Sequence, residues 1–234
     1  MIIIGHRGAA GIEPENTIAS IEAAVGTGVD MVEFDIRVTK DKKLAVFHDS
    51  NLLRMAGLNK NISDMTLQEL KETTTHSGHE IPEFDEAMTA AGKIPVLIDC
   101  KGKGWAELLH QALKNHNGLV PAVTAADTKE MFRFSELRPD VETYVSELTK
   151  PLEAIYRTRL LGFTGISLNF WVLNPLAYFY AKRHNLKFMI FTVNRPFLAR
   201  FLHLLYPTAA IITNVPDKLA PLAKRRNEKS KGSP

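Results

Sequence analysis

Four short clusters in this chain carry groups able to do chemistry: His6-Arg7, Glu33 with Asp35, His48-Asp49, and Asp99 with Lys101. Glu33 and Asp35 are two residues apart, as are Asp99 and Lys101, and residues i and i+2 of a β-strand share one face. If successive strand ends aim them at one mouth, three carboxylates converge and repel one another unless a cation lies between them. All-oxygen ligation favours a hard divalent ion, Mg2+ or Ca2+, over zinc, which makes Glu33, Asp35 and Asp99 candidate metal ligands. A lone acid on a strand is ordinary surface chemistry. Three acids, two histidines and two cations at successive strand ends are not. The charged neighbours Arg7 and Asp49 also make His6 and His48 poor core residues, whereas the other six histidines lack such company.

Stepping along the chain, the elements that must position these groups alternate. β-Branched or aliphatic runs occupy 2–5, 31–38, 44–47, 94–99, 119–124, 142–145, 165–168, 188–193 and 210–213. Segments of helical period fill 17–26, 84–91, 105–115, 128–137, 152–159, 175–184, 196–206 and 216–225. Strand-then-helix repetition predicts a parallel sheet with helices outside it, and eight such units predict an α/β fold of the (βα)8 TIM-barrel type. The ninth strand is read as a hairpin arm. No helical segment separates 31–38 from 44–47, and a two-residue turn at Asp41-Lys42 would place Asp35 opposite His48 and Ile36 opposite Phe47. Residues 50–80 break the alternation, with the capping box Thr66 to Glu69 announcing one short helix at 67–71, and form a candidate lid at the functional rim. The expected organisation is one catalytic domain over 1–226, with 50–80 as its insertion and 227–234 as a flexible polar tail.

Composition narrows the class. With 45% hydrophobic and 24% charged residues and a net charge of +3, the chain can bury one sizeable core, and nucleic acid is not its expected partner. The single cysteine, Cys100, can form no internal disulfide and suits a reducing, cytoplasmic setting. No apolar run is long and unbroken enough for a stable membrane insertion. Oligomeric state is left open.

The residues also carry a resemblance. His6-Arg7-Gly8, Pro14-Glu15-Asn16-Thr17, Glu33-Phe34-Asp35, Thr39-Lys40-Asp41, His48-Asp49 and Arg54, in this order and spacing, resemble the glycerophosphodiester phosphodiesterase family. The likeness continues through Ile81-Pro82, Asp99-Cys100-Lys101, Thr192-Val193-Asn194 and the stretch from Ile212 to Pro216. It implies a phosphodiesterase-type barrel, a divalent metal, and hydrolysis of deacylated phospholipids to glycerol 3-phosphate and an alcohol. Residue by residue, it makes Glu33, Asp35 and Asp99 the metal ligands, His6 and His48 the acid–base pair, and Arg7 and Lys101 the phosphate contacts. Asp99 stands where most members have glutamate, Phe191 replaces a usual tryptophan and Asn214 a usual aspartate.

Such a site balances its substrate. Three carboxylates, one divalent ion, Arg7 and Lys101 leave one positive charge to meet a phosphodiester monoanion, and an imidazole can exist in either form near neutral pH. Water and the neighbouring glycerol hydroxyl are both acceptable nucleophiles at this stage, and either histidine can be the acid. Two alternatives accompany the expected glycerophosphodiesterase. One is a phospholipase D-like enzyme acting on lysolipid or sphingolipid head groups, approached across Phe170-Trp171-Val172-Leu173. The other is a non-catalytic phosphodiester-binding barrel.

Overall fold

The computed structural model describes residues 1–116 and 121–231. Its strands are β1 (Ile3–Gly5), β2 (Met31–Val38), β3 (Leu44–Val46), β4 (Val96–Cys100), β5 (Ala122–Ala125), β6 (Glu142–Glu147), β7 (Gly165–Asn169), β8 (Lys187–Phe191) and β9 (Ala210–Thr213). Eight are parallel and close a ring, because β1 pairs with β9 on one side and β2 on the other. The expected TIM barrel is therefore present. The helices are α1 (Ile18–Thr27), α2 (Leu53–Ala56), α3 (Leu67–Lys71), α4 (Phe84–Ala91), α5 (Ala106–Leu113), α6 (Thr128–Leu137), α7 (Pro151–Leu160), α8 (Pro175–Arg183), α9 (Pro196–Leu205) and α10 (Pro216–Lys231). Residues 117–120, which include the first two positions of the run expected as a strand at 119–124, and 232–234, within the expected tail, lie outside the described residues; α10 already covers the start of that tail.

Period-two alternation sorts every strand into two faces. Val32, Phe34 and Ile36 of β2, with Val96 and Ile98 of β4, pack outward into the large core beneath the helices. Their sequence neighbours turn into the lumen, where Ile4, Leu97, Ala122, Tyr144, Met189, Ala210 and Ile212 fill the lower layer. Glu33, Asp35 and Asp99 share the lumen phase, Glu33 in register with Leu97 and Asp35 with Asp99 one step nearer the carboxyl rim. Local signals fix the helix starts. The Thr17 side chain accepts from the Ser20 amide to cap α1, and proline occupies the first turn of α7, α8 and α9.

The hairpin differs from expectation by one residue. Ile36 faces Val46, Arg37 faces Ala45 and Val38 faces Leu44, and the Phe47 amide donates to the Asp35 carbonyl. The loop has three residues, not two. The Lys42 amide donates to the Thr39 carbonyl, Thr39 donates to the Lys43 carbonyl, and Lys42 takes a left-handed φ of 61° to complete a turn-plus-bulge connection.

The insertion is more than polar loop. Leu52, Ile62, Met65, Leu67, Leu70 and Ile81 bury a small second core against Ala45 and Phe47 of the return arm. α2 and a 3-10 turn at Ile62–Asp64 accompany the expected helix α3, whose Thr66–Glu69 capping box is formed.

Candidate active site

At the carboxyl rim, ligand oxygens of Glu33, Asp35 and Asp99 lie within 4.8 Å of one another, with Glu33 and Asp35 almost fully buried. Each acid has a distinct set of partners. Glu33 Oε2 accepts the Arg7 backbone amide at 2.6 Å. Asp35 Oδ2 accepts from Asn16 Nδ2 at 2.8 Å and lies 3.3 Å from Arg7 Nε. Lys101 Nζ bridges Asp99 Oδ2 at 2.6 Å and Asp35 Oδ1 at 3.2 Å.

Of the buried oxygens, Asp99 Oδ1 accepts no hydrogen bond and Asp35 Oδ1 has only its ion pair with Lys101. Buried acceptors are normally satisfied, so the chemistry of this carboxylate trio fits a hard divalent cation. Electrostatics agree. Burial, then the charges of Asp35 and Asp99, pushes Glu33 well above the usual carboxylate range. Asp99 is raised to about 6, first by burial and, among the charges, by Asp35 against the opposing pull of Lys101. Burial would raise Asp35 too, but Lys101 and then Arg7 hold it below its ordinary value.

The backbone at the first strand end is forced. Arg7 adopts a left-handed φ of 51°, a conformation that costs an L-residue on the order of 1 kcal/mol, and the Glu33 contact to its amide holds it there. Gly8 follows at φ 80°, and a Cβ on it would meet the Ser20 backbone at 2.5 Å. Only glycine lets α1 approach so closely and aim Arg7 at the acids.

The two imidazoles differ in their partners. His6 Nδ1 lies 2.6 Å from Asn214 Oδ1, an oxygen that can only accept, so the neutral ring donates from Nδ1. Its Nε2 then faces the acids, 4.0 Å from Glu33 Oε2. Burial and the Arg7 charge push the His6 pKa down to about 4. His48 Nδ1 instead donates to a carboxylate, Asp49 Oδ1, at 2.7 Å. Arg54 Nε donates to the other Asp49 oxygen at 2.6 Å, its bond being the largest cause that holds Asp49 at about 2, and Arg54 also grips Glu15, which accepts from Arg7 at 2.8 Å. Burial lowers His48 as well, while Asp35 and Asp49 pull it upward.

All the expected site residues, His6, Arg7, Glu33, Asp35, His48, Asp99 and Lys101, therefore meet at one rim. Six of them, all but Asp35, line a cavity of about 280 Å3 together with Thr124, Ser146, Ser167, Asn169 and Phe191. These four polar residues were not singled out from sequence, although each occupies the lumen phase of its strand. Glu15, Asn16 and Arg54 were visible only as parts of the resemblance, whereas Asp49 was already noted as the charged neighbour of His48. Among the described residues none of 50–80 lines this cavity. The insertion instead reaches the site through Arg54.

The closed (βα)8 barrel joins clustered acids, two imidazoles, an arginine and a lysine at one rim, and its family places it among the phosphoric diester hydrolases. Residues 6–160 match the glycerophosphoryl diester phosphodiesterase family, and the chain belongs to it. YhdW of Bacillus subtilis (strain 168), a protein named for this activity, is 30% identical over 97% of this chain and 100% of its own. The lysophospholipase D of Rattus norvegicus is 49% identical, over 42% of this chain and 35% of that one. The fold is shared with an Oleispira antarctica phosphodiesterase solved with the product sn-glycerol-3-phosphate, at a TM-score of 0.87 and 23% identity over 96% of this chain and 97% of that one.

Proposed function

We propose that the protein hydrolyses glycerophosphodiesters to glycerol 3-phosphate and an alcohol, with His6 as general base, His48 as general acid, and one Mg2+ or Ca2+ held by Glu33, Asp35 and Asp99. The observation that carries this reading is the trio of buried acids with an unsatisfied oxygen, flanked by two imidazoles whose partners differ by one charge. A bound divalent ion supplies positive charge to the phosphate oxygens as negative charge grows on them.

The histidine roles follow from those partners. An amide behind His6 favours the neutral ring, which leaves Nε2 free to accept a proton; an ionised carboxylate behind His48 favours the charged ring, which has a proton to give. His6 takes the proton of the attacking hydroxyl, of water or of the substrate's own glycerol, as its oxygen bonds to phosphorus. The ester bond to the alcohol breaks, and His48 protonates the departing oxygen; where the glycerol hydroxyl has attacked, water then opens the resulting cyclic phosphate, His48 taking its proton and His6 protonating the glycerol oxygen that is released. Arg7 and Lys101 offset the phosphate charge, while Thr124, Ser146, Ser167 and Asn169 offer hydroxyl and amide groups to the glycerol. The insertion serves to hold His48 through Arg54 and Asp49 rather than to cover the substrate. The lone buried thiol of Cys100 supports a cytoplasmic setting.

Glycerophosphocholine turnover after EDTA treatment, with and without added Mg2+ or Ca2+, is the test. Release of glycerol 3-phosphate only with cation is expected, and no release with either ion refutes the proposal. Head-group release from lysolipids is the second reading, favoured by the exposed Leu148 at the cavity wall. Faster turnover of lysophosphatidylcholine micelles than of glycerophosphocholine would select it.

A further inference from the structure

The outer surface of the barrel is not uniform. Among the described residues 17 large apolar side chains are exposed, and 11 of them fall within residues 148–206, the stretch holding α7, α8 and α9. An ordinary surface helix buries one apolar stripe and shows water a polar one. Here the outward stripe is apolar as well. In α9, Ala199, Leu202 and His203 are buried inward, while Phe197, Phe201 and Leu204 recur at i, i+4 and i+7 on the exposed side, Phe197 being 82% and Leu204 78% exposed. Leu176 and Phe179 do the same on α8, and Trp171, just before it, is 81% exposed.

Charge is segregated in the same place. Residues 148–206 hold eight lysines and arginines and a single acid, Glu153, whereas the rest of the chain holds 21 basic and 25 acidic residues. The segment thus carries a formal charge of +7 against −4 for the rest of the chain, and although Glu142 and Glu147 just outside it pair with Lys187 and Arg157, the segment stays strongly cationic. Arg195, Arg200, Lys182 and Arg183 are exposed among the apolar side chains.

From this coincidence of exposed apolar and cationic residues we infer that the face formed by α7, α8 and α9 docks the protein on an anionic lipid bilayer surface. Apolar side chains enter the boundary region of a bilayer while lysine and arginine meet its head groups, the pattern of interfacial rather than spanning attachment. No helix among the described residues is long and apolar enough to cross a membrane, which agrees with attachment from one side. A second copy of the chain is the other occupant an apolar face invites. In a two-fold contact, however, each patch meets itself, and cations would face cations. An anionic bilayer neutralises them. The face also reaches the cavity, since Leu148 is exposed and lines its wall. Docking would therefore place the mouth beside the lipid surface, whichever diester the site cleaves.

Vesicle binding tests the inference. Of the two tryptophans, Trp105 is fully buried and Trp171 largely exposed, so a change in emission on binding reports the docking face directly. The intact protein is titrated with vesicles of phosphatidylglycerol and phosphatidylcholine in equal parts and, separately, of phosphatidylcholine alone. Expected are co-sedimentation and a blue shift of Trp171 emission with the anionic vesicles, and at least ~10-fold weaker binding to the neutral ones. The pairs Arg195→Gln with Arg200→Gln, and Phe197→Ser with Leu204→Ser, should each weaken anionic binding by ~10-fold or more while leaving turnover of a small soluble diester unchanged. Failure to bind, equal binding to both vesicles, or binding that neither pair alters would overturn the inference. A concentration-dependent dimer in sedimentation velocity, abolished by Phe197→Ser with Leu204→Ser, would overturn it in favour of a second copy.

Discussion

Replacing Asp49 by asparagine keeps the shape of the side chain and removes its charge. In the folded protein Asp49 Oδ1 accepts from His48 Nδ1 at 2.7 Å while Arg54 holds its other oxygen at 2.6 Å, so the substitution takes a fixed anion from behind the ring proposed to carry the proton. A hydrogen bond to a charged group contributes about 1.5–3 kcal/mol, which corresponds to a rate factor of ~10 to ~150. The side chains of His48 and Asp49 keep 33% and 22% of their exposure, and water screens part of that interaction. The lower part of the range applies, and kcat on glycerophosphocholine should fall ~10- to ~30-fold with KM changed less than ~3-fold, because the charge matters most when His48 holds or gives its proton. Initial rates of glycerol 3-phosphate release across pH are the assay. The limb set by the acid should move to lower pH, since an imidazolium without its counter-ion loses its proton more easily. Unchanged kcat with an unmoved limb would show that Asp49 only braces the loop.

Three further outcomes are expected. Asn214→Asp puts a carboxylate behind His6 and should raise its pKa, which now lies near 4, moving the acidic limb of kcat/KM to higher pH; no movement would remove His6 from the role of base. Calorimetry after EDTA stripping should show one divalent site in the parent protein and none in Glu33→Ala, while Glu33→Gln, which keeps an acceptor for the Arg7 amide, separates loss of charge from loss of fold. Without metal, native Asp99 keeps its proton up to a pH of about 6, whereas the unfolded carboxyl loses it near 3.8. The native state is the one binding more protons in that window. Its stability should therefore fall by on the order of 3 kcal/mol as pH rises through it, and added Mg2+ or Ca2+ should remove the fall. Urea melts at both ends of the window measure this.

Alternation made the fold legible. Val32, Phe34 and Ile36 interleaved with Glu33 and Asp35 define both the strand and the face that holds the acids, and similar runs recur around the barrel. The same phase would have identified Thr124, Ser146, Ser167 and Asn169, had polar residues at strand ends been read for direction rather than for acidity. The bracing of His48 was hidden because Glu15 and Arg54 are 39 positions apart, and no periodicity links residues at that distance. The hairpin register escaped because its left-handed position holds Lys42 instead of glycine or asparagine, which would have marked a three-residue loop. The core of the insertion escaped because Leu52, Ile62, Met65 and Leu70 follow neither a helical nor a strand period.

The closure of the barrel by β9 also sets a time order. His6 and its partner Asn214 are separated by 208 positions, and β1 is completed on one side only when Ile211–Thr213 arrive beside it. During synthesis the first histidine leaves the ribosome early but has no partner until almost all of the chain has followed. Contacts between such distant positions form late and slowly. A nascent or prematurely ended chain can thus hold the acids and both imidazoles without the partner of the histidine proposed here as the base, so on that proposal phosphodiester cleavage should begin only once the ring is shut.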